Sequence, residues 1–342
     1  MYKKQYLKYK KLYREMKKNG GSDTMKQSNN VIIIGGGCAG LTAAIYCARA
    51  ALKPLLFAGN LEEKGGLLSK TSIVENYSGF PEGISGFDLV DNMEKQAIKY
   101  GTTILDADIV EVNFKVKPFT VTDSNNKVYS ANTIIISTGS KPNKLGLKRE
   151  DEFWSKGISS CAVCDGALYK NKKIVVVGGG DSALEHAIFL TKFSDVTLIH
   201  RKDAFRASKI MQDRVLNNPK IKIIYDTVIK ELNGSKDNKN NKGLESITIK
   251  NLKTNEESEL KVDGLFYGLG LTPNTQLFKG LLDMDEAGYI IKNPIDNLET
   301  MTSIEGVFVA GDVSDKIYRQ AVVAAGDGCK AALDVVNYLN EK

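Results

Sequence analysis

Val31-Ile-Ile-Ile34 runs directly into Gly35-Gly-Gly37-Cys-Ala-Gly40, and a small-residue segment, Leu41 to Ala51, leads on to Pro54-Leu-Leu-Phe-Ala58. Four consecutive apolar residues suit a strand buried on both faces, and the glycines suit the turn that leads it into a helix. With a second strand at 54–58, this is the opening of a parallel α/β sheet. Glycines at the first two fixed positions let the backbone approach a pyrophosphate, and the helix N-terminus supplies oriented N–H groups. One Gly-x-Gly-x-x-Gly is weak evidence, since such turns also serve packing alone.

The same pattern recurs. Lys173-Ile-Val-Val-Val177 leads into Gly178-Gly-Gly180-Asp181-Ser182-Ala183, then a helix to about Lys192 and a strand at Val196–Ile199. Each glycine turn is answered downstream by a strand ending in Gly-x-x-Pro: Ile134–Ile136 before Gly139 and Pro142, and Leu265–Tyr267 before Gly270 and Pro273. Turn signals at Asp123–Asn126 and Thr254-Asn255 mark short β segments before each closing strand. After Pro273 no third unit begins. A strand at Val307–Val309, Ala310-Gly311-Asp312 and a small-residue helix from about Gln320 to Leu339 return to complete the first unit. The expected fold is therefore α/β, with two Rossmann-like, three-layer ββα dinucleotide-binding domains, the second inserted in the first. Residues 30–142 and 271–342 form one domain and 143–270 the other, preceded by a basic arm at 1–29.

The net charge of +6 belongs mostly to that arm: residues 1–18 carry about +7, which leaves the body near neutral and a poor candidate for gripping nucleic acid. Tyr2, Tyr6, Tyr9, Tyr13 and Met16 form a heptad-like stripe, which reads either as a solvated tail or as a docking helix. The arm resembles Tyr/Leu/Lys arms at the start of some giant-virus proteins. No run of about 18 apolar residues exists to span a membrane, and no secretory h-region opens the chain. Five scattered cysteines exclude a secreted disulfide scaffold and point to a reducing, cytoplasmic setting. The polar loop Gly234–Gly243 is expected to be mobile.

The two halves differ where a ribose would be read. After the first second-strand comes Gly59-Asn60-Leu-Glu62-Glu63; after its counterpart comes His200-Arg201-Lys202-Asp203-Ala-Phe-Arg206. Arg201, Lys202 and Arg206 at a strand end fit a 2′-phosphate rather than a free ribose. The second site is thus expected to take NADPH and the first a different dinucleotide, FAD. The alternative is a solvated charge cluster.

Cys161-Ala-Val-Cys164 is the expected reactive pair, since C-x-x-C in such a chain signals redox or metal chemistry. Zinc needs four ligands, and the other cysteines and both histidines lie elsewhere, so no metal is expected. Asp165 beside the pair could carry the proton of a dithiol, or merely cap a turn. The pair precedes Gly178 by 14 residues and so shares a domain with the NADPH site. Dithiol and nicotinamide cannot occupy one flavin face together. A rotation about Lys141–Asn143 and Leu269–Asn274 follows. Cys38, Cys47 and Cys329 read as packing residues, although a helix N-terminus could lower the pKa of Cys38.

From about Val31 to Leu339 the chain resembles the low-molecular-weight thioredoxin reductases of bacterial, fungal and plant type. The motifs are Cys161-Ala-Val-Cys-Asp165-Gly, Lys64-Gly65-Gly66-Leu67, Glu75-Asn76, Ser137-Thr-Gly139, the second glycine turn, His200 to Asp203, Ala310-Gly311-Asp312 and Tyr318-Arg319-Gln320-Ala321. The resemblance implies a homodimeric flavoprotein carrying electrons from NADPH through FAD to the disulfide and on to thioredoxin. It implies Cys164 facing the flavin, Cys161 attacking thioredoxin, Asp165 as proton carrier, Asp312 on the ribityl chain and Gln320-Ala321 against the isoalloxazine. It also implies Gly35, Gly37, Gly40, Gly65, Gly66, Leu67, Asn76, Gly139, Gly311 and Arg319 around FAD. Around NADPH it implies Gly178, Gly180, Asp181, Ser182, Ala183 and His200 with the three cations. Three residues depart from the family pattern: Cys38 for a usual Pro, Leu67 for a Gln, and Lys202 for an Arg, which keeps charge but loses the bidentate fork. A flavin dithiol oxidase would have no use for the cationic cluster, and a scaffold would have no use for the intact Cys pair.

Overall fold

The structure, a computed structural model, describes residues 28–60, 64–235 and 243–341. The arm up to residue 27, Glu62 and Glu63, and positions 236–242 of the polar loop lie outside the described residues.

The first sheet is built on β1 (Ser28–Ile34), flanked in parallel by β2 (Leu55–Phe57), then β3 (Thr103–Leu105), and on its other side by β6 (Val128–Ile136). Ser28 and Asn29 already pair with Ser130 and Ala131, so the strand starts two residues inside the expected arm. Along Ile134–Ile136, β6 also pairs in parallel with β17 (Val307–Val309). Its N-terminal half pairs antiparallel with β5 (Phe119–Asp123), which pairs with β4 (Ile109–Asn113). This meander covers one face of the parallel strands; α1 (Cys38–Arg49), α2 (Gly86–Lys99) and α6 (Ala321–Asn340) cover the other. Side chains alternate across a strand. Val31 and Ile33 accordingly enter the helix-side core, and Ile32 and Ile34 the meander-side core. With both faces covered, an unbroken apolar run is what the strand needs.

The second unit repeats the plan. β11 (Ile221–Ile224), β10 (Val196–Ile199), β9 (Ile174–Gly178), β15 (Gly264–Gly268) and β8 (Ile158–Ser159) form a parallel sheet in that order. The antiparallel β12 (Thr227–Gly234), β13 (Leu244–Asn251) and β14 (Glu257–Lys261) lie on one face, and α4 (Asp181–Leu190) and α5 (Lys209–Leu216) on the other. Ile174 and Val176 face the helices; Val175 and Val177 face the meander.

The chain leaves the first unit through β7 (Ser140–Pro142) and returns through β16 (Leu271–Pro273), and these two pair antiparallel as a ribbon. Asn143 pins its end. Its backbone N–H donates to Gly270 O (3.0 Å), its Nδ2 to Leu269 O (3.1 Å), and its Oδ1 accepts from Thr272 Oγ1 (2.8 Å).

Candidate functional site

Each glycine of the first turn has a distinct reason. Gly35 sits at φ +113° with Ser137 O 2.3 Å from where a Cβ would be, and a Cβ on Gly40 would fall 1.9 Å from Gly35 O. Gly36, not singled out in the sequence, is required because Ala58 lies 2.7 Å from its virtual Cβ. Gly37 differs: a Cβ there would meet nothing within 4 Å, because it faces an open cavity. It is also the N-cap of α1, with no side-chain cap, so the first N–H groups of the helix remain available to an anion. By contrast Ser85 Oγ caps α2, accepting from the Asp88 N–H at 3.0 Å.

That cavity, about 1570 Å³, is lined by Gly35, Gly37, Gly65, Gly66, Leu67, Asn76, Gly139, Asp312, Arg319, Gln320 and Ala321. Gly40 and Gly311 do not border it and act in packing; Gly311, at φ +77°, lies against Ala39 and Ala324. Burial pushes the Asp312 carboxyl up to about 6, with Asp315 adding to the rise and Arg319 opposing it. Arg319 donates through a terminal nitrogen to Tyr289 Oη at 3.1 Å, while its buried Nε has no partner. A buried guanidinium N–H without an acceptor is costly. An orphaned donor, an uncapped helix start and a side-chain-free cradle together fit an anionic dinucleotide.

Cys161 and Cys164 are disulfide-bonded and border the same cavity. Gln320 Oε1 lies 3.9 Å from Cys164 Sγ and accepts from Asn76 Nδ2 at 3.2 Å. The bond begins the one-turn α3 (Ala162–Asp165), where Cys161 Sγ accepts the Cys164 N–H at 3.2 Å. Asp165 also borders the cavity, its carboxyl raised by burial; Ser159 counters the rise with a hydrogen bond and the Glu75 charge adds to it.

The second glycine turn lies apart. Gly178 holds φ +147° with Gly268 O 2.5 Å from its virtual Cβ, and the His200 ring fills the space behind Gly179. His200 is buried with Nε2 3.0 Å from Ala204 O, so it props the turn from below. Asp181 accepts from Ser208 N–H (2.9 Å) and Oγ (2.7 Å), and Arg206 N–H donates to Gly179 O (2.9 Å). These bonds bring the Arg206 side chain over Gly180, 3.3 Å from its virtual Cβ. Ala183 is buried against Gly268. Arg201, Lys202 and Arg206 are exposed and border no part of the disulfide cavity; of this group only Ser182 does. Among the described residues, no cluster of three or more His, Cys, Asp or Glu could hold a metal.

Cys38, Cys47 and Cys329 are free thiols. Cys38 and Cys47 are buried, and burial pushes both thiols up to about 12, so at Cys38 desolvation overrides the helix N-terminus. Cys329 is half-buried.

The family model for pyridine nucleotide-disulphide oxidoreductases matches residues 29–328. A thioredoxin reductase of Dictyostelium discoideum is 50% identical over 318 residues, 91% of this chain and 97% of that one. The chain belongs to the thioredoxin reductase family. The crystal structure of a family member from Streptococcus pyogenes overlays with a TM-score of 0.84 at 37% identity, covering 93% of this chain and all of that one. A Lactococcus lactis member described as in the FR conformation, also 37% identical and covering 92% of this chain and all of that one, overlays at 0.61. Family membership implies FAD and NADPH as cofactors.

Proposed function

We propose that this chain is an NADPH-dependent thioredoxin-disulfide reductase. NADPH and a proton reduce the disulfide of thioredoxin, or of a thioredoxin-like protein, to a dithiol by way of Cys161–Cys164. The observation that carries this reading is the Cys161–Cys164 disulfide facing Gln320 across a cradle shaped for a dinucleotide. Bound there, FAD would supply the two-electron relay between NADPH and the sulfur pair. The backbone of Gly35 and Gly37 would hold its pyrophosphate, Asp312 its ribityl chain, and Gln320 and Ala321 its ring; Arg319 Nε is free to find its acceptor there. Arg201, Lys202 and Arg206 would grip the 2′-phosphate of NADPH.

Cys164, beside Gln320, would face the flavin, which leaves Cys161 to attack the thioredoxin disulfide. The S–S bond of thioredoxin breaks as an inter-protein disulfide forms; Cys164 then attacks Cys161 and releases the thioredoxin dithiol. Asp165, with its raised carboxyl pKa, can hold the proton that the leaving thiolate takes up.

Residues 30–142 with 271–342 are assigned as the FAD domain and 143–270 as the NADPH domain. The NADPH cations lie outside the disulfide cavity, so the second domain must turn about the β7–β16 ribbon between the two half-reactions. The unequal overlays of two equally identical relatives support such a motion. The assembly is proposed as a homodimer working in a reducing compartment, the cytoplasm. Among the described residues no helix is long and apolar enough to cross a membrane.

The test is optical. Purified protein should be yellow, bleach with NADPH, and recover its colour when oxidised thioredoxin is added. Cys161→Ser should still bleach but pass nothing to thioredoxin. A colourless protein that takes up no FAD would end this reading.

A further inference from the structure

Within that flavin reading, the structure assigns to Cys38 a role as positioning residue: its thiol ties together the segments that form the flavin cradle. It sits on the last free corner of the glycine turn, at the start of α1, and is buried. Its pKa near 12 keeps it a thiol, and therefore a donor, at any working pH. The S–H donates to Ala321 O at 3.2 Å, and the Ala325 N–H faces the sulfur in return. One side chain thus contacts both ends of the first turn of α6, immediately after Gln320. Tyr77, in the 73–80 segment next to Asn76, which itself holds Gln320, interacts electrostatically with the same sulfur. Met93 Sδ of α2 is in contact at 3.9 Å.

The geometry matters because these segments meet two separate parts of the expected ligand. The turn at Gly35–Gly40 would hold the pyrophosphate, and Gln320-Ala321 would lie against the ring. Small residues draw α1 and α6 together, with Ala39 O 2.1 Å from the virtual Cβ of Gly328. Packing of small, featureless surfaces sets distance but leaves sliding along the helices weakly opposed. A directional bond from Cys38 to Ala321 fixes that register. Proline, the usual residue in the resembling family, has no side-chain donor. This chain therefore carries a connection between the ends of the cradle that the usual residue cannot make.

The test uses the full chain stripped of flavin and titrated with FAD, followed by quenching of flavin fluorescence. Cys38→Ala should bind FAD about tenfold more weakly, as expected for losing one or two hydrogen bonds. Cys38→Ser, which keeps a donor, should recover to within about threefold of the parent. Tyr77→Phe, which removes only the outer partner, should weaken binding about threefold. At saturating FAD, the visible flavin band of Cys38→Ala should also shift, which a merely structural loss in the apoprotein would not cause. FAD binding by Cys38→Ala within twofold of the parent, with an unmoved band, would overturn the inference while leaving the reductase reading intact. If Cys38→Ala fails to fold, unchanged binding by Tyr77→Phe overturns it instead. A parent protein that takes up no FAD would remove the flavin reading itself.

Discussion

Asp312 is held at about 6 against an ordinary 3.8, chiefly because the cradle strips it of water. A carboxyl raised in this way favours the folded apoprotein only while protonated. The benefit is complete below pH 3.8, is lost as the pH climbs to 6, and is absent above that. Asp312→Asn should therefore stabilise the apoprotein at pH 7 by about 2–3 kcal/mol, and the gap should close below about pH 4; urea melts across that range measure it. With FAD present the ranking should reverse, since the carboxylate would be needed on the ribityl chain. An apoprotein made less stable by the change at pH 7 would mean that burial does not govern this group. Asp165 is raised by the same cause but is assigned to move a proton. Asp165→Asn should lower thioredoxin turnover by about 10²-fold or more and flatten the alkaline limb of the pH profile. Glu75→Gln, which removes a charge that raises Asp165, should move that limb to lower pH.

At the scale of elements, the start of α1 does two jobs that substitutions can separate. A Cβ on Gly37 meets no protein atom, and the residue sits at φ −78°, which any side chain tolerates. Gly37→Ala should leave the apoprotein melting temperature within a couple of degrees while lowering FAD affinity at least tenfold, because only a ligand would touch the new methyl. Gly40→Ala, 1.9 Å from Gly35 O, should instead destabilise the apoprotein itself. Calorimetry of both apoproteins beside FAD titration separates the cases. These elements were readable from sequence to unequal degrees, for a physical reason. β1, β9, β10 and β17 are apolar runs enclosed between layers, and all but β10 adjoin a glycine, so composition marks them, although β1 begins three residues before its apolar run. The meanders alternate more weakly and could be placed only by their turns. His200 and Asp181 look like cofactor ligands in a motif, yet the fold turns one under Gly179 and the other onto Ser208. The contacts that join the site are longer in sequence than any local pattern: 156 residues from Cys164 to Gln320 and 283 from Cys38 to Ala321. Gly36 was legible in principle, since three glycines in a row exceed what the motif requires, but its partner Ala58 became visible only when β2 was laid beside β1.

For the molecule as a whole, the decisive geometry is the one that keeps the electron donor and the electron acceptor of one relay apart. The disulfide already faces Gln320, so the orientation seen here is the one in which sulfur meets the proposed flavin site; the cations expected to hold NADPH open elsewhere. Covalently the units are joined only through the two strands of the short β7–β16 ribbon, which the Asn143 hydrogen bonds brace. Two strands of three residues can bend at low cost compared with two full cores. A tether across the 3.9 Å gap tests this directly. In a Cys161→Ser, Cys329→Ser background, Gln320→Cys faces the remaining Cys164, and a short bis-maleimide would join the domains as they now stand. The tethered protein should bind NADPH with its usual affinity by calorimetry but should no longer bleach. The same thiols capped singly with N-ethylmaleimide should bleach as before, which separates the loss of motion from the loss of Gln320. Bleaching at an undiminished rate in the tethered sample would show that nicotinamide reaches the flavin without rotation, and that nicotinamide and disulfide share the site in a single arrangement.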